Sequence, residues 1–142
     1  MTHHVIAQRK IAVPADDLWS TIRRMDGIEA WYSDFISASE VPDPDALQPR
    51  RNCTMADGGE LKERILLRDD VTRTFVYAID SHPLPARNLV GSIRIDDLGN
   101  QTSMVTWGAN MTLEDAHAAQ MEDMVTEIYA KGLKSLEQYH AR

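Results

Sequence analysis

From residue 61 to residue 111 the sequence alternates, and the odd positions are the dry ones. Leu61, Ile65 and Leu67 are followed by Phe75, Tyr77 and Ile79, by Leu89, Gly91, Ile93 and Ile95, and by Val105, Trp107, Ala109 and Met111. The even positions carry Lys62, Arg64, Thr74, Asn88, Ser92, Arg94, Thr106 and Asn110. Successive side chains of a strand point to opposite faces, so a shared period of two predicts strands with one dry and one wet face. That pattern marks an antiparallel sheet covered on one side only. Turn signals at Asp57-Gly58-Gly59, Asp69-Asp70, His82-Pro83-Leu84-Pro85 and Gly99-Asn100 separate the segments. The spacing predicts strands over 60–68, 72–80, 88–96 and 102–112.

Earlier segments extend the sheet. Strands are expected over 34–41 and 51–56, separated by Pro42-Asp43-Pro44-Asp45, where two prolines remove ladder donors. Val5 to Val13 reads as a first strand, with Arg9 the only polar residue at an odd position. Pro14 ends it, and Asp16 and Asp17 open a helix whose first turn suits acids. Leu18, Trp19 and Ile22 share a face of that helix, and Trp19 is read as core. Asp26-Gly27 breaks it before a short turn at 28–32. The period then changes at the C-terminus. Met121, Val125, Ile128, Gly132, Leu136 and Tyr139 recur at three- and four-residue steps, which predicts an amphipathic helix over about 114–139. A dry sheet face and a long amphipathic helix must bury each other. The expectation is α+β: a curved antiparallel sheet of about seven strands wrapped around a long C-terminal helix, with two short helices after the first strand. Residues 1–142 are read as one domain.

Composition narrows the function. The net charge of −7 argues against a nucleic-acid binder and against docking on anionic membranes. The lone Cys53 rules out an internal disulfide. The sequence has no leading apolar run of signal-peptide length and no apolar stretch of about 18 residues, so a cytoplasmic location without membrane insertion is expected. His3, His4, His82, His117 and His140 form no metal-ligand pattern, and no phosphate-binding glycine loop occurs. No metal and no cofactor are expected.

The order of elements resembles the helix-grip superfamily (START/Bet v 1-like, SRPBCC), which includes the birch-pollen-allergen, lipid-transfer and polyketide cyclase/dehydrase groups. Ile11-Ala12-Val13-Pro14-Ala15-Asp16-Asp17-Leu18-Trp19 looks like that family's first strand passing into its first helix. Glu29-Ala30-Trp31, Gly59-Glu60-Leu61-Lys62-Glu63-Arg64, Phe75-Val76-Tyr77 before Pro83-Leu84-Pro85, Val105-Thr106-Trp107 and the last helix follow in the family's order. The resemblance spans nearly the whole chain. It implies a cavity for an apolar small molecule and no obligatory cofactor.

Parity nominates the walls of such a cavity. Trp31 caps it from the second short helix, Phe75, Tyr77, Leu89 and Trp107 line it from the sheet, and Met121 and Val125 line it from the last helix. Met55, Met111, Met121 and Met124 read mainly as a soft core. Glu63 falls between Leu61 and Ile65 on the dry parity, where a carboxylate needs a partner. Tyr77 or Arg9 is the expected partner, and Arg73 is expected in solvent. Three functions compete. The first is binding of a small hydrophobic molecule of lipid, polyketide or aromatic type. The second is a polyketide cyclase/dehydratase-like enzyme with Glu63 and Tyr77 as acid/base groups. The third is gripping of a protein partner, for which no large exposed apolar stripe speaks.

Overall fold

The computed structural model describes residues 1–142. The chain opens with β1 (Thr2–Ile11), α1 (Ala15–Ile22) and α2 (Ile28–Trp31). Then come β2 (Ile36–Glu40), β3 (Arg50–Met55), β4 (Glu60–Asp69), β5 (Thr74–Ser81), β6 (Arg87–Gly99) and β7 (Thr102–Thr112). A 3-10 turn at Asp115–His117 leads into α3 (Ala118–His140). The strands form one seven-stranded sheet in the order β1-β7-β6-β5-β4-β3-β2. Every pairing is antiparallel. The α3 helix packs across β1 and β7. This is the helix-grip α+β fold that the alternation and the final amphipathic segment predict.

Local chemistry explains the joints. Asp16 and Asp17 occupy the first turn of α1, which buries Ala15, Leu18, Trp19 and Ile22. The Trp19 indole donates to Asp70 on the β4–β5 turn at 2.8 Å, so a buried aromatic keeps its one donor satisfied. Ladder irregularities in β2, β4 and β6 add local twist to the sheet.

Several bounds shift from the expected ones, as β1 is Thr2–Ile11 and not 5–13 and β6 is Arg87–Gly99 and not 88–96, and three further departures have a local cause. In β4 the register shifts between Ile65 and Leu67. The extra residue turns Leu67 outward, where it is 45% exposed, and its dry parity is thereby lost. The last helix starts at Ala118 and not at 114, because Glu114 is extended and a 3-10 turn intervenes. The β2 strand starts at Ile36 because the amides of Phe35 and Ile36 both turn back to the Tyr32 carbonyl.

The core has two parts. The larger cluster joins α1, α3 and the concave face of β1, β7, β6 and β5. A small separate cluster of Ile36, Cys53, Met55 and Leu61 lies on β2, β3 and β4. Ile28, Phe35 and Ile79 touch both. The seam between the clusters holds the site described next.

Candidate functional site

A cavity of about 60 Å³ opens at this seam. Ile36, Cys53 and Leu61 wall it on one side, and Tyr77, Leu89, Trp107, Val125 and Tyr129 on the other. The half-buried Ile28, Phe35, Ile79, Leu84 and Ile128 and the buried Tyr32 complete the lining. A second cavity of about 30 Å³ lies toward α1, between Ile22, Met25, Trp31, Phe75 and Ile93. Arg51, Tyr77, Trp107 and Ile28 border both.

Arg51 and Glu63 face each other directly across β3 and β4. The Arg51 Nε donates to Glu63 Oε1 at 2.6 Å, and its Nη1 donates to the Met25 carbonyl at 2.8 Å. The guanidinium also lies over the rings of Phe75 and Tyr77, 5.2 and 5.4 Å from their centroids. Arg51 is 6% exposed and Glu63 3% exposed, so this ion pair is buried. Burial alone would depress the Arg51 pKa, but the Glu63 charge and hydrogen bond outweigh it and hold the pKa above its ordinary value. Glu63 Oε2 and Arg51 Nη2 have no partner within the protein. Neither is a sealed, unsatisfied atom, and both residues border the larger cavity.

Beside the pair stands an aromatic hydroxyl cluster. The Trp107 indole donates to the Tyr77 hydroxyl at 2.9 Å, and the hydroxyls of Tyr77 and Tyr129 share a hydrogen bond at 3.1 Å. Trp107 stacks on Tyr129 with centroids 4.3 Å apart and planes 11° from parallel. Burial, aided by the Glu63 charge, pushes the Tyr77 phenol up to about 12. Burial likewise pushes the Cys53 thiol up to about 12, so both groups stay protonated near neutral pH. Two glycines make room. A Cβ on Gly91, opposite Tyr77 in the sheet, would lie 2.3 Å from that ring, and a Cβ on Gly132 would lie 2.5 Å from Trp107. The lid, formed by α2 and the adjoining Tyr32, is tied to α3 twice: the Tyr32 hydroxyl donates to the Ile128 carbonyl and the Ser135 hydroxyl donates to the Trp31 carbonyl.

Of the residues nominated from the sequence, Glu63, Tyr77, Leu89, Trp107 and Val125 border the larger cavity, and Trp31 and Phe75 border the smaller. Met121 is fully buried in the main core and borders neither. The partner of Glu63 is Arg51, not Tyr77 or Arg9. Arg9 could not serve, because three strands separate β1 from β4. It pairs instead with Glu137 on α3 at 2.8 Å. Arg73 is half-buried and bonded to Asp16. Arg51, Tyr32 and Tyr129 were not anticipated. Arg51 shares its parity with Cys53 and Met55, and Tyr129 stands four residues after Val125, so both signals were present in the spacing.

Residues 2–141 match the family described as polyketide cyclase / dehydrase and lipid transport. The chain belongs to that family. A similar solved structure is that of an uncharacterized protein of Bacillus thuringiensis, 23% identical, with a TM-score of 0.89 over 99% of this chain and 100% of that one. XoxI of Bacillus cereus is 24% identical, with a TM-score of 0.86 over 95% of this chain and 93% of that one. Norcoclaurine synthase of Thalictrum flavum, solved with dopamine and hydroxybenzaldehyde, is 14% identical, with a TM-score of 0.79 over 97% of this chain and 86% of that one. At these identities the likeness is one of fold. No curated protein matches the chain. No helix is long and apolar enough to cross a membrane.

Proposed function

We propose that this protein binds a small hydrophobic molecule, of lipid, polyketide or aromatic type, in the cavity between the sheet and α3. One observation carries the reading: an apolar gap in the core has a single buried ion pair at its wall. Ligand sites are mostly apolar surfaces with a few placed polar groups, and packed cores avoid both gaps and buried charge. Membership of a family that includes lipid transport supports it. The fold of norcoclaurine synthase, solved with two small aromatic molecules, supports the capacity of such an interior to hold them. A space of about 60 Å³ equals roughly two water volumes, so a ligand must displace the lid around α2 to be admitted. An apolar, environment-sensitive dye should bind the folded protein at about micromolar levels. Val125→Trp should fill the cavity and abolish that binding while circular dichroism stays unchanged. Failure of the native protein to take up the dye would remove the reading.

A second reading is a cyclase/dehydratase-like enzyme with Glu63 and Tyr77 as acid/base groups. That both border the same cavity favours it. Against it, Glu63 Oε1 is held by Arg51 and the Tyr77 phenol, at about 12, is a weak acid. Turnover by the parent that falls about 100-fold in Glu63→Gln, with binding intact, would favour the enzyme over the carrier.

A further inference from the structure

We infer that the ligand's polar head is electrically neutral and carries a hydrogen-bond acceptor beside a donor, as a carboxamide, a lactam or a hydroxy-ketone does. This rests on the binding reading above and narrows it to a ligand class. The larger cavity is bordered by one positive group, Arg51, and one negative group, Glu63, and by no other charged side chain. Each is at least nine-tenths buried, and each has one polar atom without a protein partner, Arg51 Nη2 and Glu63 Oε2. The two charges already neutralise each other through the 2.6 Å bond.

That balance decides what can enter. A carboxylate would lose its hydration and gain no free cation, and it would stand next to the Glu63 carboxylate. An ammonium or amidinium would meet the same difficulty against Arg51. A neutral head loses far less hydration. Its carbonyl can accept from Arg51 Nη2, and its N–H or O–H can donate to Glu63 Oε2. Both open valences are then satisfied without disturbing the pair. The Tyr77–Tyr129 hydroxyl pair stands beside it as a further donor or acceptor. Free fatty acids and aliphatic amines are thereby disfavoured, although their apolar parts would suit the walls.

Three probes of one shape and different charge test this: 2-naphthamide, 2-naphthoate and 2-naphthamidine, titrated calorimetrically into the intact protein. The amide should bind at least about 10-fold more tightly than either ion. Naphthoate, where it binds at all, should take up a proton, seen as a dependence of the heat on the buffer's ionisation enthalpy. In Glu63→Gln the charge balance tips positive, and naphthoate should become the tightest of the three. The parent measurements stand even if that variant does not fold. Naphthoate or naphthamidine binding the parent as tightly as the amide, without proton exchange, overturns the inference. Failure of all three to bind, together with failure of the apolar dye, overturns the cavity reading itself. Dye uptake with equal, weak binding of all three probes overturns only the assignment of the head.

Discussion

The two halves of the sheet are built on different terms. On the β1–β7 side, α3 lies against the strands, and Ile11, Val105, Met121, Leu133 and Leu136 are sealed from solvent. On the β3–β4 side a separate cluster of four buried residues forms, and the seam holds two gaps, a buried ion pair and a hydroxyl cluster. The first half is the dense interior that gives a helix-grip domain its stability. The second gives up packing and introduces charge, which for stability alone is a poor arrangement. The difference teaches where to seek function: in the half that departs from the packing rules, since sequences keep such departures where a site needs them.

The ion pair should give the largest effect. Arg51→Met or Glu63→Leu alone strands a buried charge, and each should lower unfolding free energy by about 3–5 kcal/mol. The double variant removes both charges and should return to within about 1 kcal/mol of the parent or exceed it. Urea unfolding measures all of them. A double variant as unstable as the singles would mean that the β3–β4 half needs the pair to fold, and the contrast would collapse.

Leucine truncation compares the sealed core with the edge of the seam. Leu136 is enclosed on the α3 side, whereas Leu89 already borders the cavity. Leu136→Ala opens a new void and should cost about 3–4 kcal/mol, against about 2–3 kcal/mol for Leu89→Ala, because the cost grows with the space left behind. Equal losses in chemical denaturation would argue that the seam is as well packed as the core behind it.

The same contrast explains what was legible in the sequence. Strand parity and the C-terminal period carried the architecture, since every odd-numbered core residue from Phe75 to Met111 repeats a pattern that only one sheet face can satisfy. Leu67 escaped because a bulge adds a residue without any glycine or proline to announce it. Glu63 stood out as a carboxylate on a dry face. Its partner did not, because Arg51 opens a strand, where an arginine usually reaches solvent, and only the β3–β4 register reveals the pairing. Tyr129 was hidden for a different reason: the buried stripe of α3 is wider than one line of residues, so Val125, Ile128 and Tyr129 all reach the cavity. Packed regions repeat and can be read, whereas a site is a set of exceptions whose geometry depends on register.

The lid adds a smaller test. Tyr32→Phe and Ser135→Ala each remove one of the bonds that tie α2 to α3. Each should cost about 0.5–1.5 kcal/mol, the net worth of one hydrogen bond. Each should also speed uptake of the apolar dye, measured by stopped flow. Unchanged uptake in both would place the route to the cavity elsewhere, with the Leu84 loop the remaining border.

The smallest expected effect separates the halves by pH. His82 sits on the β5–β6 loop next to Leu84, and its Nδ1 accepts the Leu84 amide at 3.1 Å. His140 ends α3 against α1, with its Nε2 2.8 Å from the Thr21 hydroxyl. Burial is the main cause that lowers both imidazole pKa values below the ordinary 6.5. The sign follows from linkage: the unfolded chain binds these protons more readily than the folded one. Their contribution is therefore intact above about pH 6.5 and is lost as pH falls through the lower folded values. Both rings are half-exposed, so solvent screening keeps the loss small. The two should nevertheless differ in kind. Protonation of His82 at Nδ1 removes the acceptor for the Leu84 amide and loosens a wall of the cavity, so dye uptake should quicken as pH falls and lose that dependence in His82→Gln. Protonation of His140 disturbs only the α1–α3 seam, so His140→Gln should flatten the stability profile between about pH 7.5 and 5.5 and leave dye uptake as it was. Stability that rises on acidification across that range would contradict the sign for both. Dye uptake that responds to His140→Gln and not to His82→Gln would reverse the assignment of the two halves.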